Sequence, residues 1–560
     1  MKKKKIFQYP VFYLTVLFLM IPGLCSAADY ELLDSGFPIA NTPLHEQGQW
    51  NTYNSVSNNY MVIMRTTGPK YGNCTDPDDI ECNDCFYGIE TIRVSPDGEV
   101  LGKTTVSPLE GSQDNCSWKM MPRVAHNPFR DEYLMLYLKA PYVCSSCHDG
   151  TPDVGTVQPS DCAKCHPLGN AGECNLIDAH ENTDTNCLTC HTECVGGDSP
   201  AAGSSSHIDD CMACHDDDIH SWVHGYSLGS EMYTCRVDSS GNLLTQPKRL
   251  HPTVAVAAHP SMAFNTTRRE YGLVYNDRGV FGWRHNNVGF ILDEDGNIIR
   301  GPSRWDTGDG HHFAYDLQYN PDNDTYLLNW EDFRHSGPPY WFWPNDIYGG
   351  IVNGEGDMIV DFAVIEDCGD PDVGDQWWPA WAYNSDKKEW LITWVDKRAS
   401  LEEATGIMGR FLDAEGNFKT EEFLIIDGHK TENQQALVYV PKEKKYFMVW
   451  MDSRDYEIDP EVPWLAENNI YGAWLDDSGL PVGDEIPICV EDGDQSVPRL
   501  NYNPLMNQFF ISWWDTNCPL DFEEMDCENS MWAGPVEEGG TRGHQGCNLR
   551  HTTFPHYTCC

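Results

Sequence analysis

The sequence predicts an all-β chain, a seven-bladed β-propeller with a loop-rich module inserted in the second blade. Three observations predict it: a recurring unit, strands that are apolar on both faces, and one loop far longer than its counterparts. The stretch PAWAYNSDKKEWLITWVDKR (379–398) recurs as LQYNPDNDTYLLNWEDFR (317–334), LVYVPKEKKYFMVWMDSR (437–454) and PRLNYNPLMNQFFISWWD (498–515). Each apolar run ends in Trp-x-Asp, at Trp330/Asp332, Trp394/Asp396, Trp450/Asp452 and Trp513/Asp515, with the aspartates 64, 56 and 63 residues apart. Such self-similarity marks a stack of supersecondary units, none of which buries its apolar surface alone.

Each unit reads as strand A, a polar turn, strand B, a loop, strand C, an Asp/Gly turn and strand D. In strand B, Trp390, Ile392 and Trp394 alternate with Leu391, Thr393 and Val395, so both faces are apolar and both must be covered. Four-stranded sheets stacked face to face around an axis meet that demand. A set of separate sandwiches, the alternative, calls for more alternation of apolar and polar faces. Seven units begin near Gln49, Pro122, Val254, Phe313, Trp377, Asn433 and Ser496. The seventh lacks a clear last strand after SMWAGPVEEGG, while YELLDSGFPIA (30–40) is a spare one, so the N-terminus is expected to complete the final blade. Trp-x-Asp followed by DIYG (346–349) resembles secreted bacterial propeller repeats. That resemblance covers most of the chain and implies a fold, not a chemistry.

In the second unit, EYLMLYLKA (132–140) reads as strand B and EMYTCRVDSSG (231–241) as strand C, with about 90 residues between them where sister units use roughly 10 to 20. Within 141–224 lie four Cys-x-x-Cys-His motifs: Cys144, Cys147 and His148; Cys162, Cys165 and His166; Cys187, Cys190 and His191; Cys211, Cys214 and His215. Two thiols at this spacing add to the two vinyl groups of a haem, and the next residue sets its imidazole on the iron. A double zinc ribbon also uses Cys-x-x-Cys pairs but does not require a histidine after each. The segment therefore predicts four covalently bound haem c groups. Four further histidines, His180, His207, His220 and His224, match the four motifs one to one and predict bis-histidine, six-coordinate iron. The alternative for each is a surface or propionate-contacting residue. Substitutes could come from loops on the same face of the propeller (His251, His285, His311, His312, His335, His429) or from the tail (His544, His551, His556). The segment is too poor in apolar residues to form a core of its own, so porphyrins are expected to supply it.

The motifs and their neighbouring histidines resemble those of extracellular multihaem cytochromes of metal-reducing bacteria, including those that polymerise into cytochrome filaments. The resemblance covers about 15 per cent of the chain. It implies electron transfer rather than catalysis, with other cytochromes, extracellular electron acceptors and copies of the chain itself as partners. The competing readings are an exported haem enzyme acting on a small nitrogen compound, which needs one open iron, and a glycan- or protein-binding propeller that carries a cytochrome. The repeated Trp-x-Asp positions read as blade packing and turn hydrogen bonds rather than as a ligand site.

Four lysines, an apolar stretch around VFYLTVLFLM and the run GLCSAADY form the three-part layout of a secretory signal over 1–27, with cleavage near Ala27 or Ala28. A lipoprotein anchored through Cys25 is the alternative, but Leu24 stands where a small residue is wanted. The resulting organisation is signal 1–27, propeller 28–140, cytochrome insert 141–224, propeller 225–541 and a Cys/His tail 542–560. Secretion to the extracellular space or cell surface is expected, with the periplasm as the alternative, and no membrane span is expected in the mature chain. A net charge of −49 argues against nucleic acid. Of 23 cysteines, one leaves with the signal and eight belong to the motifs; the even remainder predicts disulfides. Cys174 with Cys194, a Cys74/Cys82/Cys85/Cys116 group, and pairs among Cys518, Cys527, Cys547, Cys559 and Cys560 are the candidates.

Overall fold

The computed structural model describes residues 30–32, 37–40, 45–68, 86–112, 115–116, 118–140, 231–250, 257–277, 285–308, 310–334, 345–365, 376–399, 405–427, 432–455, 468–490, 494–516 and 529–538. It is an all-β propeller. Its strands form seven antiparallel sheets, whose first strands in chain order are His45–Asn54, Trp118–Asn127, Ala257–Asn265, His312–Asn320, Gln376–Asn384, Glu432–Val440 and Asp494–Asn503. Two segments from the amino-terminal end, Tyr30–Leu32 and Phe37–Ala40, pair antiparallel with Asn529–Glu538 of the seventh sheet. Second strands such as Thr325–Asp332 and Glu389–Asp396 are buried at every residue, because a neighbouring sheet covers each face.

The apolar residues sort into clusters that each bridge two adjacent sheets. Val274, Ile291 and Trp305 of the third sheet meet Leu317, Leu328 and Trp330 of the fourth. Phe510 of the seventh meets Tyr60 and Val62 of the first. Trp305 lies directly over Gly289, where an added Cβ would stand 2.0 Å from its ring, so only glycine admits the indole.

The turn between first and second strands carries the connection between sheets. In six sheets it opens with a buried asparagine: Asn54, Asn127, Asn265, Asn320, Asn384 or Asn503. The Asn265 side-chain carbonyl accepts from Thr267 N (3.0 Å) and Arg268 N (2.8 Å), and its amide donates to Asp324 of the next sheet (2.8 Å). Five of the six asparagines reach the following sheet in this way, the fifth being Asn503, which closes on Asn58 of the first sheet at 2.9 Å. All seven turns end on a residue in the left-handed region: Asn58, Asp131, Arg269, Asp324, Lys388, Lys444 or Asn507.

The Trp-x-Asp positions are corners inside sheets four to six. Trp330, Trp394 and Trp450 donate Nε1–H to Asp332, Asp396 and Asp452 at 2.8, 2.8 and 3.1 Å. Each aspartate, fully buried, also accepts from the backbone N–H of the arginine two residues on and pairs with its guanidinium, at Arg334, Arg398 and Arg454. The arginine is the part of the motif that Trp-x-Asp alone does not reveal. In the seventh sheet Asn517 stands at that position, and Trp513 Nε1 is buried without a hydrogen-bond partner.

Two stability predictions follow from this geometry. Asn265→Ala leaves two turn donors without their acceptor and takes one of several donors from Asp324, and should cost about 1–3 kcal/mol in urea unfolding, read as a lower midpoint at constant slope. Asp396→Ala leaves the buried indole N–H of Trp394 and the backbone N–H of Arg398 without their acceptor and takes one of two carboxylates from the half-buried Arg398 guanidinium, and should cost about 1–3 kcal/mol in the same assay.

Candidate ligand cavity at the propeller axis

The first strand of every sheet lies at the axis with one edge unpaired, and every one of these strands is bulged at the corresponding place. The register shifts fall between Gln47 and Trp50, Met120 and Arg123, Ala258 and Ser261, Ala314 and Asp316, Trp377 and Ala380, Asn433 and Ala436, and Ser496 and Arg499. In five of them a non-glycine residue takes a left-handed φ of 39 to 54°: Met121, His259, Trp378, Gln434 and Val497. All but Gln434 precede proline, which lacks an N–H and is accommodated at a bulge on an edge strand. Such conformations cost about 1–3 kcal/mol each and persist where the surrounding structure holds them. Their effect is to re-aim the neighbouring side chains.

Those side chains line a cavity of about 790 Å³ to which all seven first strands contribute. The guanidiniums of Arg123 and Arg499 both rest on the Trp50 ring, 4.2 and 4.5 Å from its centroid, so the second and seventh sheets meet on a residue of the first. Asp316, from the fourth sheet, accepts from Leu317 N and from Gln318 Nε2, each at 2.9 Å. Burial pushes its carboxyl pKa up despite these donors and the two arginines. Burial also pushes Arg499 down to about 10, with Asp316 opposing the shift. Gln435 donates to the Trp378 carbonyl at 2.7 Å.

His259 also faces the cavity, in contact with the rings of Phe313 and Tyr315. Burial, reinforced by the charge of Arg123, lowers its pKa to about 4, so the imidazole is neutral at physiological pH. Asp316 is the one carboxylate lining the cavity among the described residues. The two opposed carboxylates of a hydrolytic glycosidase are thus not assembled here by those residues.

Nothing in the sequence repeat identified this site. Its one trace is the proline that opens four copies, Pro122, Pro260, Pro379 and Pro498, just after the bulged residue.

The residues singled out for metal and cofactor binding fare differently. Cys144, Cys147, His148, Cys162, Cys165, His166, Cys187, Cys190, His191, Cys211, Cys214, His215, His180, His207, His220 and His224 all lie outside the described residues. So do His251, His335, His429 and the tail histidines. Of the loop histidines considered as substitutes, His312 is fully buried, with Nδ1 2.8 Å from Asp306 and Nε2 3.4 Å from Asp332, and serves the interior of the fourth sheet. The backbone N–H of His285 donates to His311 Nδ1 at 3.3 Å.

The expectation of four covalently bound haem c groups is corrected. Among the described residues no group of three or more His, Cys, Asp or Glu is placed to hold a metal ion. The even-cysteine reading also meets an exception in Cys235, a free thiol buried in the second sheet and pushed up to about 12 by its surroundings. Among the described residues no helix is long and apolar enough to cross a membrane.

The neutral His259 carries a pH dependence. The unfolded imidazole takes up a proton near its ordinary pKa of 6.5 and the folded one only near 4, so its contribution to stability is present above about 6.5 and lost as pH falls toward 4. The fall in urea midpoint between pH 7 and pH 4 should be smaller in His259→Gln than in the wild type.

No family profile and no curated protein matches the chain. Among solved structures it is similar to a protein of unknown function from Dyadobacter fermentans, at 9% identity, covering 91% of this chain and 99% of that one with a TM-score of 0.40. An α-L-arabinanase of Penicillium chrysogenum, complexed with arabinobiose, is 11% identical over 55% of this chain and 85% of its own, with a TM-score of 0.37. A subtype N11 neuraminidase-like protein of A/flat-faced bat/Peru/033/2010 (H18N11) is 10% identical over 57% of this chain and 83% of its own, with a TM-score of 0.35. With scores this low, the propeller assignment rests on the chain's own sheet topology.

Proposed function

We propose that this chain is an exported electron-transfer protein in which the Cys/His-rich segment 141–224 is the redox element and a closed, seven-bladed propeller is its rigid carrier. One observation supports the division of labour. The strands flanking the segment, Glu132–Ala140 and Glu231–Asp238, pair in unbroken register from Glu132↔Asp238 to Lys139↔Glu231. The chain leaves and re-enters the sheet at adjacent points, so the segment can be carried on the scaffold without disturbing the ladder beneath it. The repeated motifs confine the redox chemistry to one stretch of sequence. The strongly acidic surface favours partners with basic faces, whether exported redox proteins or extracellular electron acceptors.

The test is protein-film voltammetry on the full chain and on a variant with residues 142–229 replaced by a short turn. The intact protein should give a reversible wave. The variant should lose it while retaining the thermal transition of the propeller. No faradaic response from the intact chain, or a wave that survives the excision, would overturn the proposal.

A further inference from the structure

The axial cavity holds polar atoms whose partners the described residues do not supply. Arg499 Nε is buried without a hydrogen-bond partner. Stacking on Trp50 satisfies the face of its guanidinium but not the Nε–H at its edge. Arg65, Arg123 and Arg499 line the cavity against the single carboxylate of Asp316, in a chain that carries 86 acidic residues and 37 basic ones. A buried guanidinium is costly unless an anion meets it, and its planar fork matches a carboxylate. What is missing beside Arg499 is an anionic acceptor.

A second unmet group points to a donor on the same ligand. Gln435 Oε1 is buried and unpartnered, while its amide nitrogen is committed to the Trp378 carbonyl. The oxygen calls for a hydroxyl. The indole Nε1 atoms of Trp381 and Trp514, also buried and unpartnered, call for oxygen acceptors. A ligand that meets all of these carries a carboxylate and several hydroxyls on a body compact enough for a cavity of about 790 Å³, within the range typical of small-molecule sites.

We propose that the cavity is a binding site for a sugar acid of the uronate type, free or at the end of an acidic glycan, with its carboxylate on Arg499 and Arg123 and a ring hydroxyl on Gln435. The site draws one side chain or more from each inner strand among the described residues, and its binding test stands or falls separately from the electron-transfer reading.

Isothermal titration calorimetry of the full chain with glucuronate, with galacturonate and with glucose tests it. Either uronate should bind at millimolar concentration or below, with glucose weaker on the order of tenfold or more. Arg499→Gln should weaken uronate binding by a similar factor, and Arg499→Lys should recover part of it. Gln435→Leu, which leaves the charges in place, should weaken uronate and glucose alike; it also serves if the arginine variants lose the propeller's thermal transition. Absence of binding by both uronates and by digalacturonate, equal binding of glucose and glucuronate, or full uronate affinity in folded Arg499→Gln or Gln435→Leu protein would each overturn the proposal. Affinity only for an oligomeric acidic glycan ending in a uronate, tested with a digalacturonate, would support the glycan-bound form.

Discussion

The asparagine at the first turn, which links five of the seven sheets to the next, is the contact on which the ring depends. A four-stranded sheet with two apolar faces is not a stable object, and it becomes one only when neighbours are held against both sides. Burial drives the sheets together but does not set their spacing. The asparagine does, because one side chain spends its carbonyl on its own turn and its amide on the next sheet. Asn54 reaches Asp131 and Tyr133, and Asn384 reaches Tyr446, from a buried position where an unmet amide would be costly. The bond from Asn503 back to Asn58 joins positions 445 apart and makes the last blade a neighbour of the first. Where the sixth sheet has Val440 instead, its backbone carbonyl accepts from both Glu443 N and Lys444 N, and the turn is kept without the link.

The same logic explains which parts of the molecule were legible in the sequence. Strand B is readable because burial on both faces leaves a run of large apolar residues, and Trp-x-Asp is readable because it recurs at one place in each copy. The amino-terminal strands were legible as a missing piece, since a unit without its last strand leaves an edge that must be paired. Tyr30–Leu32 and Phe37–Ala40 pair with Asn529–Glu538 accordingly. The arginine of the corner went unnoticed because its role depends on the chain turning back over the aspartate, which spacing alone does not disclose.

The axial cavity was not legible for a different reason. Trp50, Arg123, Asp316 and Arg499 come from four blades, are far apart in sequence and share no motif. They meet because all seven first strands are bulged at one level, and a bulge is a property of register between strands rather than of residue type. The repeat argument looks for what is common to the copies. A site at the axis is built from what differs among them, with arginine in two copies and aspartate in a third at the bulge.

The two proposed functional elements make different demands on the scaffold. A segment that enters and leaves between Lys139 and Glu231 needs only that its two ends be held together, which the antiparallel ladder provides wherever a loop happens to lie. The axial site needs strain. Val497, β-branched and followed by proline, sits at a φ of 54°, and that conformation survives because the inner strand has no partner on its axial side to lose. Each bulge is borne by the sheet behind it, whose second strand is largely buried and bound on both faces. A propeller can therefore keep a ring of strained inner strands at its centre while the apolar contacts between blades hold the fold, and some polar atoms at those strands, such as Arg499 Nε and Gln435 Oε1, are left without a partner among the described residues.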